Sequence, residues 1–531
     1  MRNYLNGSTH VIAAILLLTI FRSPAQPVAF DFSPQPVLTV MQRVADWQLA
    51  HPPTNRPTSW IEAAGDDGLM ALAGISGDAK YRDAMLAKGE TNRWELPKHG
   101  GRLYHADDQC IGQVWAELYF LHREPKMIAP MRERFDFILA NPSTATNLNF
   151  SQPKGKAQEL WSWCDALFMA PPAWLRLYVA TGEEKYLNFA VTNWWRTTDY
   201  LYNPDEHLFF RDSTFFKKPE ANGKKIFWSR GNGWVFAGIV RMLNYLPTNH
   251  PDRPRFEKLF QEMAAKILTL QQADGLWRSS LLDPQSYPLK ETSGSGFFTY
   301  GFAWGVNQGL LNRATYEPAV RKAWTALTAC VEADGKLTHV QPVGADPKKF
   351  AADSTEAYGV GAFLLAGSEV YRMAVLAKTV PVSMASGMTF VKPMLEITIS
   401  NPSPFRRVCE TVEMNLQKVD ESFLSRSPVS PPAPISAYVP EDLKHRSFAL
   451  MDGVSSRILD SQVYASQTNQ PLDKLLFQVD LAPRETRTFY ILDASALPAV
   501  PPPIVKTYAP ENPARRFPAP RDPPLQVTVG N

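Results

Sequence analysis

The stretch Trp161-Ser-Trp-Cys-Asp-Ala-Leu-Phe-Met-Ala-Pro-Pro172 places one acidic residue, Asp165, directly before an apolar run with helical spacing. Three other stretches have the same form, a short motif rich in Gly or Asp that opens a pair of apolar helical segments. They are His105-Ala-Asp-Asp-Gln-Cys-Ile-Gly112, Trp228-Ser-Arg-Gly-Asn-Gly-Trp234 and Glu291-Thr-Ser-Gly-Ser-Gly296. Clusters of Gly, Pro, Asn and Asp separate the segments, which predicts that helical hairpins build this part of the chain.

The hairpin-like units recur along the chain. Their starts lie near Asp67, Asp108, Asp165, Gly231, Gly294 and Tyr358. A hairpin that cannot bury its own apolar face must pack on its neighbours, and six hairpins that close on themselves form an (α/α)6 barrel. An open solenoid is the alternative. We expect closure, because Gly-containing motifs rather than polar caps begin the units, and closure gathers six helix starts around one concave end.

The composition changes behind the helical segments. All 14 Trp residues lie between Trp47 and Trp324, whereas residues 381–531 contain no Trp and 21 of the 45 Pro residues. Segments of alternating polarity there predict strands. We therefore predict an all-α (α/α)6 barrel over residues 36–377, a smaller all-β, sandwich-like accessory domain over residues 386–495, and a Pro-rich tail over residues 496–531 that is extended rather than packed.

The N-terminal segment has the features of a signal peptide. Its apolar run, residues 11–21, follows Arg2 and is too short to span a bilayer. Ser23 and Ala25 are the small residues expected before a cleavage site, so residues 1–25 are the predicted signal peptide. A retained anchor is the alternative. We expect a periplasmic or secreted protein without a membrane span after cleavage.

Charge and motif content exclude several classes of protein. The net charge of +3, with 20% charged residues, gives no basic footprint for nucleic acid. The chain contains no GxxxxGK[ST], GxGxxG, HExxH or CxxC motif, so we expect no nucleotide cofactor and no metal. Cys110 and Cys164 could approach one another, but buried free thiols are the favoured interpretation.

Asp165 is the first candidate for chemistry. A carboxylate before a helix can cap free backbone N–H groups, and the helix start stabilises the anion by ~0.3–1 kcal/mol. Burial among Trp161, Trp163 and Phe168 opposes this and can raise the pKa of an Asp by ~3–5 units, which is the larger effect. An Asp held neutral in this way can donate a proton.

Two further acids lie in the stretch that begins at His105. Asp108 is the predicted partner of Asp165 in catalysis, with helix capping as the alternative, while helix capping is the favoured role for Asp107.

The Gly-rich stretch that begins at Trp228 combines features that suit an acidic sugar. Its glycines let the backbone approach a ligand, Arg230 offers a fork that matches a carboxylate, and Trp228 and Trp234 offer stacking faces. A tight turn with core Trp residues is the alternative.

Together and in this order, the four stretches resemble glycoside hydrolase family 105, the unsaturated rhamnogalacturonyl hydrolases, and more distantly the unsaturated glucuronyl hydrolases of family 88. The resemblance covers roughly residues 37–377. It implies an (α/α)6 barrel that removes the 4,5-unsaturated uronic acid left by polysaccharide lyases at the non-reducing end of pectin or rhamnogalacturonan-type oligosaccharides.

The resemblance also implies a mechanism. The Asp that matches Asp165 protonates C4 of the vinyl ether and water adds at C5. The resulting hemiketal opens and releases the aglycone without a metal or cofactor. A single Asp that gives and then takes a proton is sufficient, whereas ordinary glycosidases need two carboxylates.

By position, the resemblance assigns Asp108 as the second important acid and places Arg230 and Trp234 in the pocket. Many relatives have a Tyr-His-Gly-like segment where this chain reads Leu208-Phe-Phe-Arg-Asp-Ser213, so Arg211 stands where a His is common. This departure leaves the aglycone and the linkage open. Further substrate contacts are expected from side chains in the same stretches, namely Trp163, Arg211, Trp228 and Ser293.

Two other functions remain open. The first is a hydrolase or lyase with the same barrel that acts on saturated acidic polysaccharides, with Asp108 and Asp165 as acid and base. The second is a non-catalytic protein that binds sugars. The β-rich domain is interpreted as a sandwich that packs on the barrel, with a carbohydrate-binding module as the alternative, although it lacks Trp for stacking on sugars.

Overall fold

The computed structural model describes most of the chain from Phe30 onward. The described residues are 30–52, 54–76, 78–98, 102–151, 156–377, 380–384, 387–391, 393–401, 407–415, 448–459, 461–464, 474–482, 485–493, 497, 504–505 and 526–530. The predicted signal peptide lies outside them. The chain divides into a unit of residues 1–31 and a unit of residues 32–531, and every feature below belongs to the second unit.

Residues 34–377 form alternating outer and inner helices. In chain order the helices are α1 (Pro34–Ala50), α2 (Trp60–Ser76), α3 (Ala79–Thr91), α4 (Gly112–His122), α5 (Ala129–Ala140), α6 (Ala166–Met169), α7 (Pro171–Thr181), α8 (Glu184–Leu201), α9 (Ser229–Leu243), α10 (Arg253–Thr269), α11 (Thr292–Asn307), α12 (Arg313–Thr328) and α13 (Ala357–Ala377). Helices α9 and α11 are buried along almost their whole length. This burial is expected of helices that are apolar or small-sided on every face.

The inner helices form a closed ring. Helix α2 packs on α4, α4 on α7, α7 on α9, α9 on α11, and α11 on α13, which returns to pack on α2. The prediction of a closed (α/α)6 barrel is therefore confirmed, and the open solenoid is not formed. One predicted unit start needs correction, because Asp67 lies inside α2 rather than at its beginning.

Glycines make the closing contact between α2 and α13 possible. A Cβ atom at Gly68 would lie 2.7 Å from the Cα atom of Gly361, and one at Gly361 would overlap the backbone carbonyl of Ala64. Real Cβ atoms do not approach other atoms so closely, so the two helix backbones can touch only because neither residue has a side chain.

The C-terminal part is a β-sandwich, as the sequence predicted. One sheet has the strand order β12-β9-β10-β6 and the other β13-β5-β11-β7-β8. The rings of Phe477 and Phe489, one from each sheet, lie 5.7 Å apart. The strands of the two sheets are β5 (Pro393–Ser400), β6 (Arg407–Asn415), β7 (Phe448–Asp452), β8 (Ile458–Leu459), β9 (Ser461–Tyr464), β10 (Lys474–Leu481), β11 (Thr486–Asp493), β12 (Ile504–Val505) and β13 (Gln526–Gly530).

Four strands lie outside these sheets. They form two antiparallel hairpins, β1 (Tyr202–Asn203) with β2 (Leu208–Phe209), and β3 (Val380–Met384) with β4 (Gly387–Val391).

The Pro-rich tail does not consist only of extended, unpacked chain. Strand β12 pairs in parallel with β9, and strand β13 pairs in antiparallel with β5. Alternation at Gln526-Val-Thr-Val529 is the strand signal that the high Pro content of residues 496–531 concealed. Within the described part of the chain, no helix is both long and apolar enough to cross a membrane.

Substitution of Gly361 tests the closing contact. We expect Gly361→Ala to cost about 1–3 kcal/mol of stability, the usual range for an overpacked core, because the new methyl group must push α13 away from α2. The measurement is the thermal unfolding midpoint. Gly344→Ala is the matched control, since a Cβ there meets nothing closer than the carbonyl oxygen of Pro342 at 3.7 Å. Equal midpoints for the two variants would contradict this account of closure.

Candidate active site

Backbone contacts fix the segment that carries Asp165. Trp163 forms an isolated antiparallel bridge with Asp212, and the N–H of Cys164 donates to the carbonyl oxygen of Arg211 at 2.8 Å. On the preceding side, the Thr197 hydroxyl donates to the carbonyl oxygen of Trp161 at 2.8 Å. These contacts join the start of α6 to residues 211–212 and bring Asp165 next to Arg211.

Asp165 is buried without serving as a helix cap. It is 8% exposed and stands directly before α6, yet its side chain accepts no capping hydrogen bond. Its Oδ2 atom lies 3.5 Å from the Cys164 sulfur and 3.6 Å from Arg211 Nε. Burial raises the pKa of Asp165, and the Arg211 guanidinium is the strongest opposing influence. The carboxyl group is thus held toward its neutral form, as a proton donor requires.

The second carboxyl group near Asp165 is Asp107. Burial first, and then the carboxylate of Asp165, raise the pKa of Asp107 to about 8. Asp107 and Asp108 lie in a 3-10 helix over Ala106–Gln109, where successive side chains diverge by roughly 120°. Asp108 is fully buried, and its charge acts on Arg134 of α5. The structure therefore shows an electrostatic effect of Asp165 on Asp107, and the catalytic role of Asp108 stays a prediction.

His105 extends this group and was not selected from the sequence. It is buried, with its ring centroid 5.0 Å from that of Trp163 and its Nδ1 atom 3.8 Å from Asp107 Oδ2. The signal was available, since a His two residues before an Asp stood in one of the four stretches. Its contact with Trp163 depends on the packing of two segments about 60 residues apart in the chain.

The two candidate arginines differ in their free donors. Arg211 Nη1 pairs with Asp212 Oδ2 at 2.7 Å, and its guanidinium lies 4.9 Å from the Phe150 ring centroid. Arg230 is fully buried, with Nη1 2.5 Å from the carbonyl oxygen of Gln341 and Nη2 2.9 Å from that of Pro342. The fork of Arg230 thus holds two backbone carbonyls, so Arg211 is the better placed cation for a ligand beside Asp165.

The other predicted contact residues pack against neighbouring side chains of the barrel. Trp228 donates from Nε1 to Gln341 Oε1 at 2.9 Å, and Ser293 donates to Glu291 Oε1 at 2.5 Å. Trp234 is fully buried, with its ring 4.8 Å from Phe168. Asp165, Arg211 and Trp163 are therefore brought together, whereas Trp228, Trp234 and Ser293 pack within the barrel end.

Neither buried thiol near the site forms a disulfide. Cys110 and Cys164 are both free and buried, as the favoured interpretation expected. Among the described residues, no group of three or more His, Cys, Asp or Glu side chains is arranged to hold a metal ion.

Comparison with models of known protein families identifies the family of the helical barrel. The model of Glycosyl Hydrolase Family 88 matches residues 37–374, the whole helical barrel. The chain belongs to Glycosyl Hydrolase Family 88. This membership confirms the resemblance to the unsaturated uronyl hydrolases of families 88 and 105, and it makes the protein a glycosidase.

Individual relatives cover the same region. An unsaturated 3S-rhamnoglycuronyl hydrolase from Formosa agariphila is 41% identical over 343 residues, which are 63% of this chain and 90% of that protein. A solved structure of a glycosyl hydrolase family 88 protein from Bacteroides vulgatus has 32% identity and a TM-score of 0.58, and the match covers 64% of this chain and 99% of the other. A structure named as a polysaccharide lyase matches with the same identity and TM-score over 64% and 98% of the two chains.

The raised pKa of Asp107 predicts how stability depends on pH. The folded protein keeps a proton on Asp107 up to about pH 8, whereas the unfolded chain releases it near its ordinary value of 3.8. Raising the pH from about 4 to about 8 therefore favours the unfolded state. We expect the thermal unfolding midpoint to fall across this range, and Asp107→Asn to flatten the fall.

Asp136→Asn provides the control with the opposite sign. Lys185 and Tyr186 hydrogen-bond to Asp136, and the pKa of this carboxyl is below its usual value. Asp136 contributes stability above its ordinary pKa that is lost only at lower pH, so Asp136→Asn should leave the slope between pH 4 and pH 8 unchanged. An unaltered slope in Asp107→Asn would show that Asp107 is not held neutral.

Proposed function

We propose that the protein removes a 4,5-unsaturated uronic acid from the non-reducing end of oligosaccharides by hydrating the double bond, with Asp165 as the proton donor. Removal of unsaturated uronic acid rests on the family and on the 41% identical relative named for that activity. The role of Asp165 is part of this proposal. The single observation that carries it is a buried, uncapped carboxyl group, raised in pKa, beside a guanidinium.

The chemistry needs one carboxyl group that changes state. Neutral Asp165 gives its proton to C4 of the vinyl ether, which leaves positive charge shared between C5 and the ring oxygen. Water then adds at C5, and the Asp165 carboxylate takes the proton that this water releases. The hemiketal at C5 opens, the bond to the aglycone breaks, and Asp165 is again neutral for the next cycle.

Asp107 supports this cycle by remaining protonated near neutral pH. A second negative charge beside Asp165 would repel the carboxylate of the next substrate molecule. It would also hold the donor proton on Asp165. With a pKa of about 8, Asp107 stays neutral through the cycle and can donate a hydrogen bond to a sugar oxygen or to the Asp165 carboxylate.

Arg211 is the proposed partner of the uronate carboxylate. Its Nη1 atom is held by Asp212, and among the described residues its Nη2 atom has no hydrogen-bond partner, so one arm of the fork can meet a substrate oxygen. The bound uronate also neutralises the cation that opposes protonation of Asp165. Substrate binding therefore raises the pKa of Asp165 further and favours the donor form.

The substrate class follows from chemistry and from the relatives. The name of the Formosa agariphila protein supports rhamnose as the sugar joined to the uronic acid, which is also present in the rhamnogalacturonan-type fragments expected from the sequence. We further propose that the protein is exported, because residues 1–25 have the pattern of a signal peptide and lyase products arise from extracellular polysaccharides.

A lyase reaction is the second candidate, favoured by the similar structure that is named as a polysaccharide lyase. Elimination requires a base that is ionised at working pH and able to remove the C5 proton of a saturated uronate. Burial raises the pKa of both Asp165 and Asp107, which favours their protonated forms, and a protonated carboxyl group cannot accept the C5 proton. This argument supports hydration over elimination.

The two reactions change the conjugated double bond in opposite directions. Ultraviolet absorbance should fall when the protein is mixed with lyase-generated oligosaccharides that carry a terminal unsaturated uronic acid linked to rhamnose. We expect Asp165→Asn to lose at least ~100-fold in rate, the lower end for proton-transfer catalysis. The exposed Asp83→Asn is the control for a loss of one acid. Rising absorbance on saturated polysaccharide would establish a lyase. A flat trace for the wild type, together with full sugar affinity in Asp165→Asn, would indicate a non-catalytic binding protein.

The two arginines provide a second test. Loss of one charge-assisted hydrogen bond costs about 1.5–3 kcal/mol, so we expect Arg211→Gln to raise KM by about 10- to 100-fold. Arg230→Gln should instead lower the thermal unfolding midpoint, because the carbonyl oxygens of Gln341 and Pro342 each lose a charged donor. A large increase in KM for Arg230→Gln with unchanged stability would reverse these assignments.

A further inference from the structure

Cys164 contacts the proposed proton donor and has no role in the scheme above. Its side chain is fully buried, and its sulfur lies 3.5 Å from Asp165 Oδ2, within hydrogen-bond distance for a thiol. Burial raises the pKa of Cys164 well above its ordinary value. The side chain therefore remains a thiol, which can donate its S–H hydrogen to Asp165 but cannot act as a thiolate nucleophile.

Two separate elements fix the position of the sulfur. The N–H of Cys164 donates to the carbonyl oxygen of Arg211 at 2.8 Å, which sets the backbone. On the other side, a Cβ atom at Gly231 of α9 would lie 3.1 Å from the sulfur and 2.9 Å from the Trp228 ring. The missing side chain at Gly231 thus provides the space that Cys164 occupies. The Gly-rich stretch and the Asp165 stretch meet at this sulfur atom.

The two oxygens of Asp165 have different surroundings. Oδ2 faces the Cys164 thiol at 3.5 Å and Arg211 Nε at 3.6 Å, the second being a charge contact rather than a hydrogen bond. Among the described residues, no side chain donates a hydrogen bond to Oδ1, and the remaining hydrogen bond of the carboxyl group is with its own backbone N–H. A neutral carboxyl group has one hydroxyl oxygen and one carbonyl oxygen, and donors favour the carbonyl oxygen. The thiol hydrogen bond and the nearby guanidinium charge at Oδ2 therefore favour the proton on Oδ1.

We propose that Cys164 is a positioning residue, whose thiol holds Oδ2 of Asp165 as the acceptor oxygen and so places the transferable proton on Oδ1. The inference rests on the proposed role of Asp165 as the proton donor. Once Oδ1 has given its proton to the substrate, the thiol hydrogen bond is made to a carboxylate and becomes stronger. Cys164 thus orients the acid and also stabilises the anion that must next accept a proton from water.

The test compares Cys164→Ala and Cys164→Ser with the wild type across a pH series. Removal of the donor in Cys164→Ala should lower kcat roughly 3- to 10-fold, the effect of one ordinary hydrogen bond, with KM unchanged. Because the anion loses stabilisation, the alkaline limb of kcat/KM should move to higher pH. Serine donates a stronger hydrogen bond, so Cys164→Ser should recover part of kcat and move the limb to lower pH than in the alanine variant.

Cys330→Ser is the matched control. Cys330 is also buried, but its thiol donates to the carbonyl oxygen of Ala326 in α12 and touches no carboxyl group. Its substitution should leave the pH profile unchanged. A second route is Gly231→Ala, in which the new methyl group displaces the sulfur. This variant should move the limb in the same direction as Cys164→Ala and keeps the inference testable if the alanine variant fails to fold.

The outcomes separate the inference from the function on which it rests. Identical alkaline limbs in the wild type, Cys164→Ala and Cys164→Ser would overturn the positioning role while hydration stands. A shift with the same sign and size in Cys330→Ser would also overturn it. If the wild-type protein consumes no double bond in any lyase product, the proposed function and the inference both fail.

Discussion

The burial of one carboxyl group is the constraint on which the rest of the site depends. Asp165 stands at a helix start and beside Arg211, and both features favour its anion. The barrel end overcomes them by removing water from the carboxyl group, and the balance holds Asp165 toward the neutral form that the proposed proton donor needs. An exposed Asp165 would have lost its proton at neutral pH.

The closed ring makes this burial possible. Each inner helix contributes its start to the same end of the barrel, and the last inner helix must touch the first for that end to be complete. Gly68 and Gly361 allow the contact between α2 and α13, while Gly231 makes room for the sulfur beside Asp165. Glycine therefore acts in this protein mainly by permitting close approach, at the closure of the barrel and again within its site.

The two arginines of the site differ in what their guanidinium groups contact. Both terminal nitrogens of Arg230 donate to backbone carbonyl oxygens of residues 341–342. Among the described residues, one terminal nitrogen of Arg211, beside Asp165, has no hydrogen-bond partner. Arg211 is a permanent cation at the position where the sequence resemblance leads one to expect a His, a group that can lose its charge. The uronate carboxylate of the substrate is the natural counterpart of that cation.

The sequence by itself determined the architecture and the central residue. Apolar spacing and repeated Gly-rich motifs were enough to predict six hairpins, a following sandwich and a buried Asp165. These properties depend on the order of apolar and polar residues within short segments of the chain. The tertiary structure alone decided the partners. Within the 3-10 helix over Ala106–Gln109, it exposes Asp107 to the charge of Asp165, while the charge of Asp108 acts on Arg134. It gave Arg211 and Arg230 different hydrogen-bond partners. It also paired two strands of residues 496–531 with the sheets of the sandwich. Each of these outcomes depends on contacts between residues that are distant in the chain, for which a local pattern carries no information.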